Sequence, residues 1–333
     1  MMVNYKLEEM NKAITFCTMC FNIGSENFAN MRNESARTNF EEYYLKPLKK
    51  LCLNFSNLVI YCDRETLLYL KKENLTEKSN IRIVVLNSFR ELKRFRCEEQ
   101  FKKLTKKCFE NFPEYRKYHS LYSLNSKETD LQAIYSLLVL SKIDIIEEVS
   151  RINPYETEFF AWIDSGCFQE KYNYFWHYWK NSIKINTKKF KCCINTHEYI
   201  DKKTFKDFSI ADLVLNPCKT IECVATFFII HVSNIENFYR RYNETLLKIN
   251  RLNLPCTEQA VWTCMIKCGY ENLFYLVKCN NYNSCIGLTA ISNQKYTVPL
   301  ISLQRIFSVK NQYTNNKKHK VITILGLKFK IAR

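Results

Sequence analysis

Apolar residues in this chain fall into short unbroken runs separated by longer stretches of helical spacing. Residues 13–20 (AITFCTMC), 58–61 (LVIY), 81–86 (IRIVVL) and 159–163 (FFAWI) read as strands buried on both faces, because branched and aromatic side chains fill them without polar alternation. Between them, residues 37–53 carry Phe40, Tyr43, Tyr44, Leu48 and Leu51 at helical spacing, with Pro47 requiring a kink or break. Residues 65–72 read as a short helix, and Thr129-Asp130-Leu131-Gln132 has the form of a capping box opening a helix that runs to about Val149. On that helix Lys142 and Asp144 lie off the apolar stripe of Ile134, Leu137, Leu138, Ser141 and Ile145. Strand, helix, strand at this spacing predicts an α/β fold with a mostly parallel sheet flanked by helices.

The second half continues with a strand at 224–231, helices over 235–250 and 259–268, and a late strand at 272–277. Residues 88–118 are basic with interleaved Phe and Leu. They are either a substrate-facing insertion or an amphipathic helix packing its aromatic stripe on the sheet. The division expected is one large domain over 1–310 and a short tail over 311–333, with a disordered-looking linker at 311–319. The tail's Lys328 and Lys330 alternate with Leu327, Phe329 and Ile331. A basic, apolar terminal hairpin or helix fits a surface anchor on the inner face of the membrane, and an edge strand or subunit contact fits it as well.

Composition narrows the function classes. A chain of 333 residues, 47% hydrophobic with only five glycines and six prolines, is globular and not repeat-built. Sixteen cysteines with no apolar N-terminal signal segment point to a reducing, cytoplasmic setting. Cys17 with Cys20, and Cys264 with Cys268, come nearest to metal-ligand spacing. The first pair faces opposite sides of a strand, and the second sits one helical turn apart as core residues do. The formal charge of +17 suits an anionic partner, but the lysines are scattered and no nucleic-acid-binding module is recognisable, so nucleic acid is not expected.

One strand ends in a way that packing does not explain. Asp164 closes the run FFAWI and is followed by Ser165-Gly166, a turn that allows close approach of backbone to a ligand at the carboxyl end of a strand. Asp63 ends the second strand similarly. Beyond Asp164, residues 172–179 (YNYFWHYW) are the densest aromatic cluster, suited to stacking on a sugar or to burial.

Several short motifs stand in a fixed order: ITFCTMCFNIGS, then 37–45 (RTNFEEYYL), Pro113-Glu114-Tyr115, Ser141-Lys142-Ile143-Asp144, Trp162-Ile163-Asp164-Ser165-Gly166 and Glu258-Gln259. In this order they resemble the bacterial HtrL/YibB family, placed among GT-A-type glycosyltransferase folds. The family's glycine-rich "G-G-F-F-G-G" corresponds to VATFFII at 224–230, without its glycines, and Asp164-Ser165-Gly166 stands where many such enzymes carry Asp-x-Asp.

The resemblance implies transfer of a sugar from a nucleotide-diphospho-sugar donor to a saccharide or lipid-linked acceptor, in assembly of bacterial surface polysaccharide or lipooligosaccharide. In such a site Asp164 holds a divalent Mn²⁺ or Mg²⁺ that bridges the diphosphate, and Lys142 adds positive charge to the leaving group. Asp144 orients Lys142 or bonds the donor, Asp63 and Thr18 contact the base and ribose, and Glu258 serves as general base or sugar ligand. His231, in competition with His177 and His197, completes the metal shell. A non-catalytic interaction protein of the same fold and a basic nucleic-acid-binding protein are the alternatives.

Overall fold

The computed structural model describes residues 3–5, 13–23, 40–113, 115, 126–168, 183–185, 192–196, 207–215, 223–278, 307–314, 317–324 and 327–332. The chain divides into two compact units, Met1–Asn293 and Gln294–Arg333.

The first unit is built on a seven-stranded sheet. Its strands are β1 (Ile14–Cys20), β2 (Leu58–Cys62), β3 (Ile81–Val85), β4 (Phe159–Ile163), β5 (Cys192–Thr196), β6 (Cys223–His231) and β7 (Phe274–Lys278), ordered β3-β2-β1-β4-β6-β5-β7. Every neighbouring pair is parallel except those made by β6, which runs antiparallel to both β4 and β5. The α/β architecture with a mostly parallel sheet is therefore as the apolar runs predict. The short run Val3–Tyr5 pairs separately with Ile183–Ile185.

Strand alternation sends successive side chains into two cores. Cys17, Phe160, Trp162, Phe228 and Ile230 enter one, together with residues of α3 (Glu98–Asn111), α4 (Ser126–Leu140), α5 (Lys142–Ile152), α7 (Val232–Arg251) and α8 (Glu258–Met265). Phe16, Cys20, Phe159, Ala161, Ile163, Phe227 and Ile229 enter the other, beneath α1 (Lys46–Asn54) and α2 (Arg64–Lys72). Cys17 and Cys20 thus lie on opposite faces. α6 (Ile210–Leu215) adds Leu213 and Val214 to the first core.

Pro47 sits in the first turn of α1, where its missing N–H costs nothing, and a wider helical turn over Glu41–Leu45 absorbs the break ahead of it. In the basic stretch, Leu92, Phe95 and Phe101 are buried in the first core, while Phe112 is exposed. Two expectations are corrected. The helix beginning near Thr129 already runs from Ser126, so Thr129 is not its cap. It also does not continue to Val149: the chain turns at Ser141, whose hydroxyl donates to the carbonyl of Leu137, and α5 starts anew at Lys142.

The second unit contains an antiparallel three-stranded sheet, β8 (Phe307–Thr314), β9 (Lys317–Ile324) and β10 (Leu327–Ala332). Within 311–319, expected as a linker, residues 311–314 and 317–319 instead lie in paired antiparallel strands, Asn311 opposite Lys320 and Thr314 opposite Lys317. Of the shapes open to the tail, a hairpin is the one found. Among the described residues no helix is long and apolar enough to cross a membrane.

Candidate active site

The order of the sheet reverses direction between β1 and β4. From β1 the chain moves outward through β2 and β3, and β4 opens the other side. Ligands of open α/β sheets lie at such a point, beyond the carboxyl ends of the strands. Here the strands also part. β1 pairs with β2 as far as Cys20, but with β4 only as far as Cys17 opposite Trp162. Asp164 follows directly on that parting, fixed by its own N–H donating to the carbonyl of Thr226 at 2.9 Å.

Trp162 and Asp164 are two residues apart along an extended chain and so face the same side of the sheet. That is the side of α5 and α8. The indole Nε1–H of Trp162 donates to Asp164 Oδ1 at 2.6 Å, and the ammonium of Lys142 reaches the same oxygen at 2.9 Å. Lys142 also donates to Glu258 Oε1 at 3.0 Å and to the carbonyl of Ala225 at 3.0 Å, while standing 5.7 Å above the Trp162 ring. The three N–H groups of the ammonium are therefore all engaged.

Burial differs across this triad. The side chains of Lys142 and Glu258 are 4% and 6% exposed, whereas that of Asp164 is 34% exposed. One cation faces two carboxylates, which leaves the cluster with one net negative charge at its solvent-facing end. Burial alone would lower the Lys142 pKa, but the charges of Asp164 and Glu258 outweigh it and hold the ammonium above its usual range. Burial pushes the Glu258 carboxyl above the usual carboxylate range, and the attraction of Lys142 offsets only part of that. Glu258 reaches this place because Thr257 is the N-cap of α8 and puts it in the first turn.

Three sequence-predicted site residues, Lys142, Asp164 and Glu258, thus come together. Lys142 was expected off the apolar stripe; it is buried, because the restart of the helix at Ser141 turns it inward. With its protons spent on Asp164, Glu258 and Ala225, it neutralises carboxylates and leaves no donor for a diphosphate.

The other predicted residues lie elsewhere. Asp144 forms a second cluster, in which Arg94 binds it in fork fashion at 2.5 and 2.7 Å and Tyr239 donates to it at 2.8 Å. Arg94 also reaches Asn243 at 2.8 Å, so this cluster ties the basic segment to α5 and α7 instead of orienting Lys142. Asp63 spends both oxygens on backbone: Oδ1 accepts from Thr66 N at 2.8 Å as the cap of α2, and Oδ2 accepts from Asn22 N at 2.7 Å. It shapes the turn after β1. Thr18 is wholly buried, and among the described residues its hydroxyl has no hydrogen-bond partner; alternation with Cys17 directs it to the side of α1 and α2, away from Trp162.

His231 cannot share an ion with Asp164. Because β6 is reversed, His231 pairs with Phe159, at the opposite end of β4 and about 16 Å of extended strand away. Its Nδ1 instead accepts from Ser233 N at 3.2 Å as the cap of α7. His177, His197 and the aromatic run 172–179 lie outside the described residues.

A divalent ion was expected here. Among the described residues no group of three His, Cys, Asp or Glu side chains gathers to hold one. Asp164 Oδ1 is taken by Lys142 and Trp162, and no hydrogen bond to Oδ2 is found among the described residues. One open carboxylate oxygen suits an ion that draws its remaining ligands from phosphate and water, as Mg²⁺ commonly does.

Sequence reasoning did not assign roles to Trp162, the Ala225 carbonyl or Arg94. The signal for Trp162 was present in its spacing of two from Asp164; the other two depend on tertiary contacts that no local pattern encodes.

Comparison with known proteins adds three findings. Among curated proteins none matches the chain. The crystal structure of mouse xyloside xylosyltransferase 1, apo form, is similar with a TM-score of 0.37 and 12% sequence identity, covering 80% of this chain and 85% of that one. The profile of a family described as "Bacterial protein of unknown function (HtrL_YibB)" matches residues 12–280, most of the chain, and the protein belongs to that HtrL/YibB family.

Proposed function

We propose that this protein is a glycosyltransferase that moves a sugar from a nucleotide-diphospho-sugar to a saccharide or lipid-linked acceptor. The observation that carries this reading is Asp164: a half-exposed carboxylate at the carboxyl end of β4, beside the parting of β1 and β4, with one oxygen fixed and the other open. A carboxylate so placed would hold Mn²⁺ or Mg²⁺, which supplies neutralisation of the diphosphate as the glycosidic bond breaks. The chain's own groups then do the following. Trp162 and Lys142 fix Asp164, Glu258 keeps Lys142 in place from below, and Asp63 shapes the turn that follows β1.

Glu258 is read here as the partner of Lys142. Its side chain is 6% exposed and bonded to that ammonium, which suits charge balance better than proton abstraction from an acceptor. The basic tail, with Lys318, Lys320, Lys328, Lys330 and Arg333, supplies charge for reversible attachment to an anionic membrane surface on which a lipid-linked acceptor would lie.

The test is a thermal-shift panel of nucleoside diphosphates and nucleotide-sugars with and without Mn²⁺. Metal-dependent stabilisation by at least one nucleotide-sugar, absent in Asp164→Asn, is the expected result. A panel that leaves the melting temperature unmoved throughout overturns the reading.

A further inference from the structure

Trp162 and Trp262 are both buried indoles, 0% and 1% exposed, on the same side of the sheet. They differ in what the ring N–H does. Trp262 Nε1 has no hydrogen-bond partner among the described residues, and its ring packs edge-on to Phe228 at 5.1 Å. Trp162 Nε1 donates at 2.6 Å to a single oxygen of Asp164. The ring of Trp162 also underlies the ammonium of Lys142, which reaches that same oxygen.

From this we infer that Trp162 is a positioning residue: together with Lys142 it pins Oδ1 of Asp164, so that Oδ2 is the oxygen presented to a metal–diphosphate ligand. The inference rests on the proposed metal-dependent transfer and goes further by assigning the orientation of its carboxylate. An Asp side chain two bonds from the backbone rotates freely unless both its torsions are held. Two donors converging on one oxygen, one of them a rigid ring anchored in the core, hold them. Lys142 holds the oxygen from one direction only, and the indole supplies the second, independent donor that fixes the plane of the carboxylate.

The paired indoles supply the experiment. Trp162→Phe and Trp262→Phe each remove one buried indole and keep an aromatic ring, but only the first removes a donor to Asp164. The probe is Mn²⁺ with inorganic pyrophosphate, read by the paramagnetic resonance signal of free Mn²⁺, alongside the indole N–H resonances in a nitrogen–proton correlation spectrum. The expected result is that Trp162→Phe weakens Mn²⁺–pyrophosphate retention about tenfold, the scale of one hydrogen bond to a charged group. Trp262→Phe should retain wild-type affinity at a similar loss of melting temperature. In the spectrum, Asp164→Asn should move the Trp162 indole resonance and leave that of Trp262 in place.

Equal retention in the two variants, with the wild type binding, overturns the positioning role and leaves the metal reading standing. Failure of the wild type to retain Mn²⁺ with pyrophosphate overturns the metal reading and with it the orientation assigned to Oδ2. The indole resonance still reports separately whether the Trp162–Asp164 bond exists. Should Trp162→Phe not fold, Trp162→His, which offers a shorter ring donor, takes its place and is expected to recover part of the affinity.

Discussion

Glu258 Oε1 lies 3.0 Å from Lys142 Nζ, and both side chains are almost fully withdrawn from water. The ammonium that pins Asp164 is thus itself held by a second carboxylate below it, and removing the lysine strands Glu258.

Lys142→Met should lower stability by about 3–5 kcal/mol, the usual result of leaving a buried charge unpaired. The double variant Lys142→Met with Glu258→Gln should recover most of that loss, because no charge then remains buried. Urea unfolding of the two singles and the double, taken as a cycle, measures the coupling. A double variant no more stable than Lys142→Met would show that Glu258 finds another partner when the lysine is gone.

Asp164→Asn should keep the fold, since an amide oxygen still accepts from Trp162 and Lys142 and the side chain is partly in water. Loss of its charge should reduce sugar transfer at least about 100-fold, the scale set by deleting one preorganised electrostatic group. Steady-state transfer and a melting curve on one preparation separate the two effects, and a normally melting variant with wild-type turnover contradicts the site.

Asp144, bonded to Arg94 and Tyr239, is expected to serve stability. Asp144→Ala leaves Arg94, 12% exposed in its side chain, without its fork partner and should cost about 3 kcal/mol. Retention of Mn²⁺ with pyrophosphate should be unchanged in this variant. A large fall in that retention, at modest cost in stability, would return Asp144 to the site.

The cap of α7 should titrate. Burial lowers the pKa of His231 below its ordinary 6.5, with the charge of Glu158 opposing, and Nδ1 accepts from Ser233 N only when unprotonated. A depressed histidine contributes stability that is fully present above pH 6.5 and is lost as the pH falls through that value toward the folded-state pKa. His231→Asn, which caps without titrating, should therefore gain on the wild type by about 0.5–1 kcal/mol between pH 7.5 and 5. Parallel melting curves across that range would refute the cap as the titrating group.

Deleting residues 294–333 removes the second compact unit whole and should reduce pelleting with anionic vesicles in a salt-sensitive way, while Mn²⁺–pyrophosphate retention persists. Unchanged pelleting would place the membrane contact, if one is measured, in the first unit.

The sheet was legible because its strands are buried on both faces: FFAWI and ITFCTMC have no other stable home, and their order with intervening helices fixes a parallel layer. Asp164 was legible for the complementary reason, a charge where packing alone calls for none. Lys142 and Asp144 were read as a pair on one helix face, yet they serve different clusters, since the turn at Ser141 resets the helix phase by an amount that periodicity does not reveal. His231 failed as a ligand because a sequence gives no strand direction. Only the reversal of β6 places it beside Phe159.

That reversal also sets where variation can reach Asp164. A strand running against its neighbours enters the sheet at the end the others leave by, so the chain arriving at Cys223 lies at the end that carries Asp164, while the junction with α7 at Val232 lies at the opposite end. An insertion ahead of Cys223 would act at the end of the sheet that carries Asp164. The same insertion at Val232 would disturb only the helix cap. Within this scaffold, the surroundings of Asp164 and the upkeep of a helix cap have separate addresses along a single strand.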